Sequence, residues 1–184
     1  MPLTKKIFRT NCLSAMKRIA PAQRYLNNHL INERLQRHLQ SRRFRSILFY
    51  MPLGYEADIK MTLLKLRKSS KVYIPFMVGE SFKMVPFRLP LKQKRFGIYE
   101  AGDTKRNINK VDIAVVPVVG VDGNMQRVGH GKGMYDRFFS KLKKRPYTIF
   151  VQPCLCYTKE FVGDAYDIAC DILITPRREL RNKR

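Results

Sequence analysis

The segment Gly120–Arg137 carries residue types that could bind phosphate. It holds five glycines within fourteen residues, interleaved with Arg127, His130 and Lys132. Glycine lets the backbone adopt positive φ and come close to a ligand, so several N–H groups can point at one place. Lys132 would add a full positive charge, and Asp136 a hard oxygen ligand suited to Mg²⁺. Apolar residues at helical spacing follow, and a helix N-terminus favours phosphate. The segment therefore predicts a nucleotide-phosphate site.

Two familiar phosphate-binding templates do not fit this segment. A Walker A loop would need glycine where Gln126 stands and a hydroxyl side chain where Gly133 stands. The dinucleotide fingerprint fails because Gly129, Gly131 and Gly133 are spaced Gly-x-Gly-x-Gly. The alternative to a phosphate site is a flexible connection between a strand and a helix, with its basic residues solvated.

Length and composition predict one folded domain over residues 1–184. Hydrophobic residues make up 45% of the chain, enough for a proper core. Lysine and arginine total 37 against 14 acidic residues, for a formal net charge of +23. This surplus indicates a polyanionic partner, which could be a nucleic acid, an anionic membrane or a phosphorylated substrate. Because the charges spread from Lys5 to Arg184, a generally basic, solubilising surface is the alternative.

The chain shows no segment that would cross a membrane and no secretory signal. No apolar run approaches the length of a membrane-spanning helix, and the basic N-terminus lacks the apolar region of a signal peptide. Of the four cysteines, Cys154 and Cys156 are spaced wrongly for a common zinc knuckle. We expect Cys12, Cys154, Cys156 and Cys170 to be buried free thiols, and the protein to be cytoplasmic.

Strand and helix patterns alternate along the chain. We expect helices at 5–18, 21–39, 59–66 and 135–142, and strands at 45–51, 71–76, 82–88, 111–119, 147–152 and 172–174. This order predicts a three-layer α/β/α domain, Rossmann-like, with a mostly parallel sheet. Residues 1–40 would pack on that core as two helices, and 177–184 would be a frayed charged tail. In such sheets ligands bind beyond the carboxyl ends of strands, which is where the glycine-rich segment begins.

Four segments together resemble one enzyme family. Arg127–Arg137 (RVGHGKGMYDR) looks like the signature of 5-formyltetrahydrofolate cyclo-ligase, also called 5,10-methenyltetrahydrofolate synthetase. Lys5–Arg9, Met51–Glu56 and Asp167–Asp171 are similar to three further family segments and occur in the family's order. One departure is Met134, which stands where relatives usually carry an aromatic residue.

The resemblance implies a role for each matching residue. Lys132 and Arg127 would serve the chemical step, and Asp136 and Asp171 would hold Mg²⁺. The residues implied to contact ATP are Lys5, Lys6, Ile7, Phe8, Arg9, Arg127, Val128, Gly129, His130, Gly131, Lys132, Gly133, Met134 and Tyr135. The residues implied to contact the folate are Arg9, Met51, Glu56, His130, Gly131, Lys132, Gly133 and Met134.

The implied reaction is the ATP-dependent cyclisation of 5-formyltetrahydrofolate, with or without a polyglutamate tail, to 5,10-methenyltetrahydrofolate. Phosphoryl transfer requires mainly positioning and charge neutralisation, which these residue types can supply. The alternatives are another ATP-dependent ligase or kinase on the same fold, and a basic nucleic-acid-binding protein. No nucleic-acid-binding signature is present, so we expect no nucleic-acid partner, no membrane partner and a monomer.

Overall fold

The computed structural model describes residues 2–94 and 97–183, which form one α/β unit. The helices are α1 (Lys5–Lys17), α2 (Pro21–Gln40), α3 (Lys60–Leu66) and α4 (Met134–Phe139). The strands are β1 (Ser46–Leu48), β2 (Lys71–Val78), β3 (Ser81–Pro86), β4 (Lys92–Gln93), β5 (Tyr99–Glu100), β6 (Ile113–Pro117), β7 (Gly120–Val121), β8 (Arg127–Val128), β9 (Tyr147–Val151), β10 (Ile172–Ile174) and β11 (Glu179–Arg181).

The central sheet has seven strands in the order β11-β10-β9-β6-β1-β2-β3. The five strands from β10 to β2 run parallel, and antiparallel strands β11 and β3 close the two edges. The predicted mostly parallel α/β sheet is confirmed. Counted along the chain, the parallel strands have the spatial order 2-1-3-4-5. The strand order therefore reverses between β1 and β6, where doubly wound sheets bind ligands.

Helices cover both faces of this sheet, as a three-layer fold requires. On one face, Ile31 and Leu35 of α2 and Leu63 of α3 pack against Ile47, Ile113 and other strand residues. On the other face, Phe138 and Phe139 of α4 pack with buried strand residues such as Val116 and Phe150. No helix in the described part of the chain is both long and apolar enough to cross a membrane.

Helix α1 packs beyond the carboxyl edge of the sheet rather than on a face. Its buried residues Phe8, Cys12 and Met16 form a small third cluster with Val119 and Val128. A Cβ added to Gly120 would lie only 2.5 Å from the Phe8 ring. Because of this close approach, α1 packs tightly on the start of the glycine-rich segment at Gly120.

Three expectations about local structure are wrong. The C-terminal tail is not wholly frayed, because Glu179–Arg181 pairs with β10 as an edge strand. The glycine-rich segment Gly120–Arg137 is not a single open loop, since Gly120–Val121 and Arg127–Val128 within it pair as the hairpin of β7 and β8. The helix after it, α4, ends at Phe139 and spans six residues, too short for a large helix dipole.

The cysteines are not all free thiols. Cys12 of α1 and Cys156 are joined by a disulfide with their Cα atoms 5.7 Å apart, whereas Cys154 and Cys170 are free. The pairing joins residues 144 positions apart, so no local spacing could have indicated it. Disulfides persist mainly in oxidising compartments, and this bond therefore weighs against the predicted cytoplasmic location.

Candidate functional site

The loop Gly129–Gly133 lies between two cavities. One, the apolar cleft, has a volume of about 680 Å³. The other, the polar cleft, has a volume of about 970 Å³. Gly133 and Arg137 line both. A single short loop therefore faces two neighbouring binding volumes.

The apolar cleft opens at the point where the strand order reverses. Its walls come from the segment after β1, from β2, and from the end of β6. They include Tyr50, Met51, Pro75, Met77, Phe82, Pro117, Met134 and Tyr135. Polar side chains share this lining, among them those of Glu56, Arg127 and His130. Flat apolar walls with a few placed polar groups are typical of sites for heteroaromatic ligands.

Glu56 is a buried carboxyl group at the bottom of this cleft. It is 6% exposed, and its Oε2 accepts a hydrogen bond from the Leu53 N–H at 3.0 Å. Burial raises the pKa of Glu56 to about 7, against the lowering effects of that N–H and of the Arg127 cation. The group can thus hold or release a proton near neutral pH.

His130 faces Glu56, with its Nε2 atom 3.9 Å from Glu56 Oε1. Burial, aided by the nearby Arg127 cation, lowers the pKa of His130 to about 4. The imidazole is therefore neutral at pH 7, and the contact is not an ion pair there. The Tyr55 hydroxyl lies 3.0 Å from the same nitrogen and orients the ring.

Two arginines, one from α1 and one from α4, hold the loop Gly129–Gly133 in place. Arg9 of α1 donates from Nε to the Gly129 carbonyl at 2.7 Å. Arg137 of α4 donates to the carbonyls of Lys132 and Glu80. In the described residues, the N–H groups of Gly129, His130, Gly131 and Gly133 donate to no acceptor. The loop therefore presents N–H groups that can bind an anion, as predicted from its glycines.

Arg127 is a buried cation beneath this loop, 6% exposed. Its Nε donates to the Pro117 carbonyl at 3.2 Å, and its Nη1 lies 3.7 Å from Asp136 Oδ2. A Cβ at Gly129 would lie 2.2 Å from that same Nη1. Gly129 is therefore needed to make room for the guanidinium, independently of any ligand.

Two carboxylates line the polar cleft, those of Asp136 and Asp167. Asp136 Oδ1 accepts from the Ile168 N–H at 3.2 Å. Asp167 accepts from Lys5 Nζ, which also binds Asp164 at 2.7 Å. Desolvation lowers the pKa of Lys5, but these two hydrogen bonds outweigh it and leave the pKa above its usual value. Lys5 thus stays protonated, with its charge paired to the carboxylates of Asp164 and Asp167.

Asp171, the second predicted metal ligand, lies at the amino end of β10. Its Oδ2 accepts from the Thr148 N–H at 2.7 Å, and its Oδ1 accepts from Arg145 at 3.1 Å. Both oxygens thus hold together the amino ends of β9 and β10. Asp167, which opens the same Asp-x-x-x-Asp segment, lines the polar cleft and Asp171 does not, so the metal role of Asp171 stays a prediction.

The remaining predicted residues divide by exposure. Phe8 and Val128 are buried in the cluster under α1 and have no surface for a ligand. Lys6, Ile7 and Lys132 are exposed. Among residues 2–94 and 97–183, no group of three or more His, Cys, Asp or Glu side chains could hold a metal unaided.

Comparison with known proteins gives a consistent result. The model of the 5-formyltetrahydrofolate cyclo-ligase family matches residues 3–164. A Schizosaccharomyces pombe protein named as a probable 5-formyltetrahydrofolate cyclo-ligase is 25% identical over 162 residues, which is 77% of this chain and 79% of that protein. A Haemophilus influenzae protein named 5-formyltetrahydrofolate cyclo-ligase is 26% identical over 135 residues, covering 68% of this chain and 70% of its own.

The fold matches as well as the sequence. The NMR structure of an Aquifex aeolicus 5,10-methenyltetrahydrofolate synthetase superposes with a TM-score of 0.83 at 23% identity, covering 99% of this chain and 94% of that one. A synthetase of the same name from Mycoplasma pneumoniae gives a TM-score of 0.74 at 19% identity, covering 95% and 100%.

Proposed function

The chain belongs to the 5-formyltetrahydrofolate cyclo-ligase family, and on that basis we propose that it cyclises 5-formyltetrahydrofolate to 5,10-methenyltetrahydrofolate with consumption of ATP. The observation that carries this proposal is the position of the loop Gly129–Gly133 between the apolar and polar clefts. A reaction that passes a phosphoryl group from a nucleotide to a folate requires two adjoining sites of this kind.

The apolar cleft suits the folate. Met51, Met134 and Tyr135 supply flat or adaptable apolar contacts for a pterin ring. When ionised, Glu56 accepts hydrogen bonds, so N–H groups on the edge of a pterin can bind it. Because its pKa is about 7, binding of such donors would favour the ionised form. His130 is neutral at pH 7 and therefore adds no further charge beside that carboxylate.

The polar cleft suits the nucleotide phosphates. Arg137 and Arg145 line it and supply positive charge, and the loop N–H groups add donors. Lys132 lines the adjoining apolar cleft. Mg²⁺ usually takes one or two carboxylates together with phosphate oxygens, so a cluster of three protein ligands is not required. Asp136 and Asp167 fit this role because both line the cleft, whereas Asp171 does not. Bound there, Mg²⁺ would neutralise charge on the phosphates.

The chemistry requires only positioning and charge from the protein. The formyl oxygen on nitrogen 5 takes the terminal phosphoryl group, and ADP leaves. Nitrogen 10 then attacks the activated carbon, loses its proton, and the phosphate departs with the former formyl oxygen. Lys132 stabilises negative charge on the transferred group, and Arg127 holds Asp136 and the floor of the loop in place.

The test is formation of the near-ultraviolet chromophore of the methenyl product from 5-formyltetrahydrofolate, ATP and Mg²⁺. We expect Lys132→Ala and Asp136→Asn each to lower kcat/KM by about a hundredfold or more. Lys159→Ala, at an exposed lysine that lines neither cleft, is the matched control and should leave the rate unchanged. Folded wild-type protein that forms no chromophore would refute the proposed reaction.

Another ATP-dependent ligase or kinase reaction on the same fold is the second candidate. It is favoured only if 5-formyltetrahydrofolate fails to raise the unfolding temperature while another phosphorylated metabolite does so. The predicted monomer stays a prediction.

A further inference from the structure

Basic side chains crowd the edge of the sheet at which its parallel strands begin. The segments 42–45, 67–71 and 141–145 precede β1, β2 and β9, and contain three, three and four lysines or arginines. All of these basic residues are exposed, and the three segments contain no Asp or Glu. We call these segments together the basic edge.

The parallel topology brings the segments together although they are far apart in sequence. Ser46 pairs with Lys71 across β1 and β2, Ile47 pairs with Ile113 across β1 and β6, and Ile113 pairs with Tyr147 across β6 and β9. The amino ends of β2, β1, β6 and β9 therefore stand in a row. At roughly 4.8 Å between strands, this row is about 15 Å long. The charge that looks dispersed along the sequence is concentrated in the fold.

Nearby carboxylates do little to neutralise the basic edge. Asp112 Oδ2 accepts from the backbone N–H groups of Arg45 and Ser46 and from the Ser46 hydroxyl. Asp171 accepts from the Thr148 N–H and pairs with Arg145 at 3.1 Å. These two carboxylates tie strand ends together, so most of the basic side chains face solvent without an acidic partner on the basic edge.

Two cations of the basic edge are already held in place. The Arg42 guanidinium stacks on the Tyr147 ring at 3.5 Å, and its Nε donates to His38 Nε2 at 3.2 Å. Arg145 is held by the Ala169 carbonyl at 2.7 Å as well as by Asp171. Ordered cations lose less conformational entropy on binding, which favours their use as contacts.

We propose that the basic edge binds the phosphate backbone of a nucleic acid without reading its bases. A duplex carries one charge per roughly 1.7 Å of its axis, so a row about 15 Å long would span several phosphates. The ring of Tyr147 is covered by Arg42, and Phe44 is half-buried. Base stacking therefore has no open aromatic platform within these segments, and the contacts are electrostatic.

A nucleic acid fits the basic edge better than an anionic membrane does. Surface binding to a bilayer combines positive charge with exposed apolar side chains that insert among the lipids. The only apolar residues within the three segments, Phe44 and Leu142, are both half-buried. The large exposed apolar side chains of the described residues lie elsewhere, for example Leu89 and Phe161.

The proposal can be tested separately from the folate reaction because the residues changed in the test, Arg43, Lys68 and Lys144, line neither cleft. The test measures binding of a fluorescent duplex of about 20 base pairs to the full chain at several salt concentrations. The edge variant is Arg43→Glu, Lys68→Glu and Lys144→Glu. The matched control is Lys92→Glu, Lys159→Glu and Arg177→Glu, which changes the net charge equally at exposed positions outside the basic edge.

We expect the edge variant to bind the duplex at least tenfold more weakly at about 0.1 M salt. Its slope of log affinity against log salt should be shallower by about three. The control should stay within about threefold of wild type, and both variants should unfold at the wild-type temperature. Equal weakening in both variants would overturn the proposal, because binding would then follow net charge alone. Absence of duplex and RNA-hairpin binding, with binding to phosphatidylserine vesicles, would also overturn it and favour a membrane.

Discussion

Replacing Glu56 by glutamine should stabilise the protein, and the gain should grow with pH. The pKa of Glu56 is about 7 in the folded chain, against an ordinary value of 4.5. Between these values the folded state keeps a proton that the unfolded chain releases. The stability contributed by this group is therefore fully present below pH 4.5 and is lost as the pH rises through 7.

The magnitude follows from the two pKa values. Each pH unit of difference corresponds to about 1.4 kcal/mol, so the gap between 4.5 and about 7 amounts to about 3 kcal/mol. Most of it, about 2.5 kcal/mol, is lost between pH 5 and pH 8. Since Glu56 is 6% exposed, solvent screening reduces this only slightly. A glutamine oxygen can still accept from the Leu53 N–H.

The assay is urea unfolding of wild type and Glu56→Gln at pH 5, 6.5 and 8. The difference in unfolding free energy, variant minus wild type, should rise by about 2–3 kcal/mol over this range. Glu160→Gln, which removes an exposed carboxylate, controls for the loss of one negative charge and should show no such rise. A difference that is constant with pH, or that grows on acidification, would refute this account of Glu56. The same variant should bind 5-formyltetrahydrofolate more weakly. Glu56 would then be a functional carboxyl group that is maintained at a cost in stability.

Two further substitutions test how the site is held. Cys12→Ser should lower the unfolding free energy by up to about 5 kcal/mol, since the bond to Cys156 closes a loop of 144 residues. Reductant should destabilise wild type but not this variant, and equal sensitivity of the two would contradict the assignment. Gly129→Ala should lower kcat/KM by about tenfold or more, because its methyl group would displace the Arg127 guanidinium. Gly102→Ala, with no atom within 4 Å of the added methyl, should be silent; comparable losses in both would argue against the steric explanation.

Local patterns predicted the regular elements well. Pro21 at the first turn and the apolar stripe after it marked α2, which runs to Gln40 as expected to within one residue. The apolar run around Ile113–Pro117 marked the central strand β6. These signals are readable because a buried face imposes its period on the nearby sequence. The same periodicity overestimated α4, since Leu142 keeps the apolar spacing after the helix has ended.

Features that depend on pairing between segments far apart in sequence could not be predicted from local patterns. Edge strand β11 has little apolar alternation and exists because β10 offers it hydrogen bonds. The Cys12–Cys156 bond joins segments that only the fold brings together. In the candidate site, glycine chemistry pointed to the correct loop. Which of Asp167 and Asp171 lines the polar cleft depends on which side chain the turn before β10 directs into it.

Lys5 has a consequence for how this protein is made. Its ammonium group binds Asp164 and Asp167, partners 159 and 162 residues later in the chain. During synthesis α1 emerges long before those partners exist, so the polar cleft cannot close until Asp164 and Asp167 have left the ribosome. Contacts of such long sequence separation form late and slowly. A chain stalled before these two residues would therefore hold a partial sheet but no finished polar cleft.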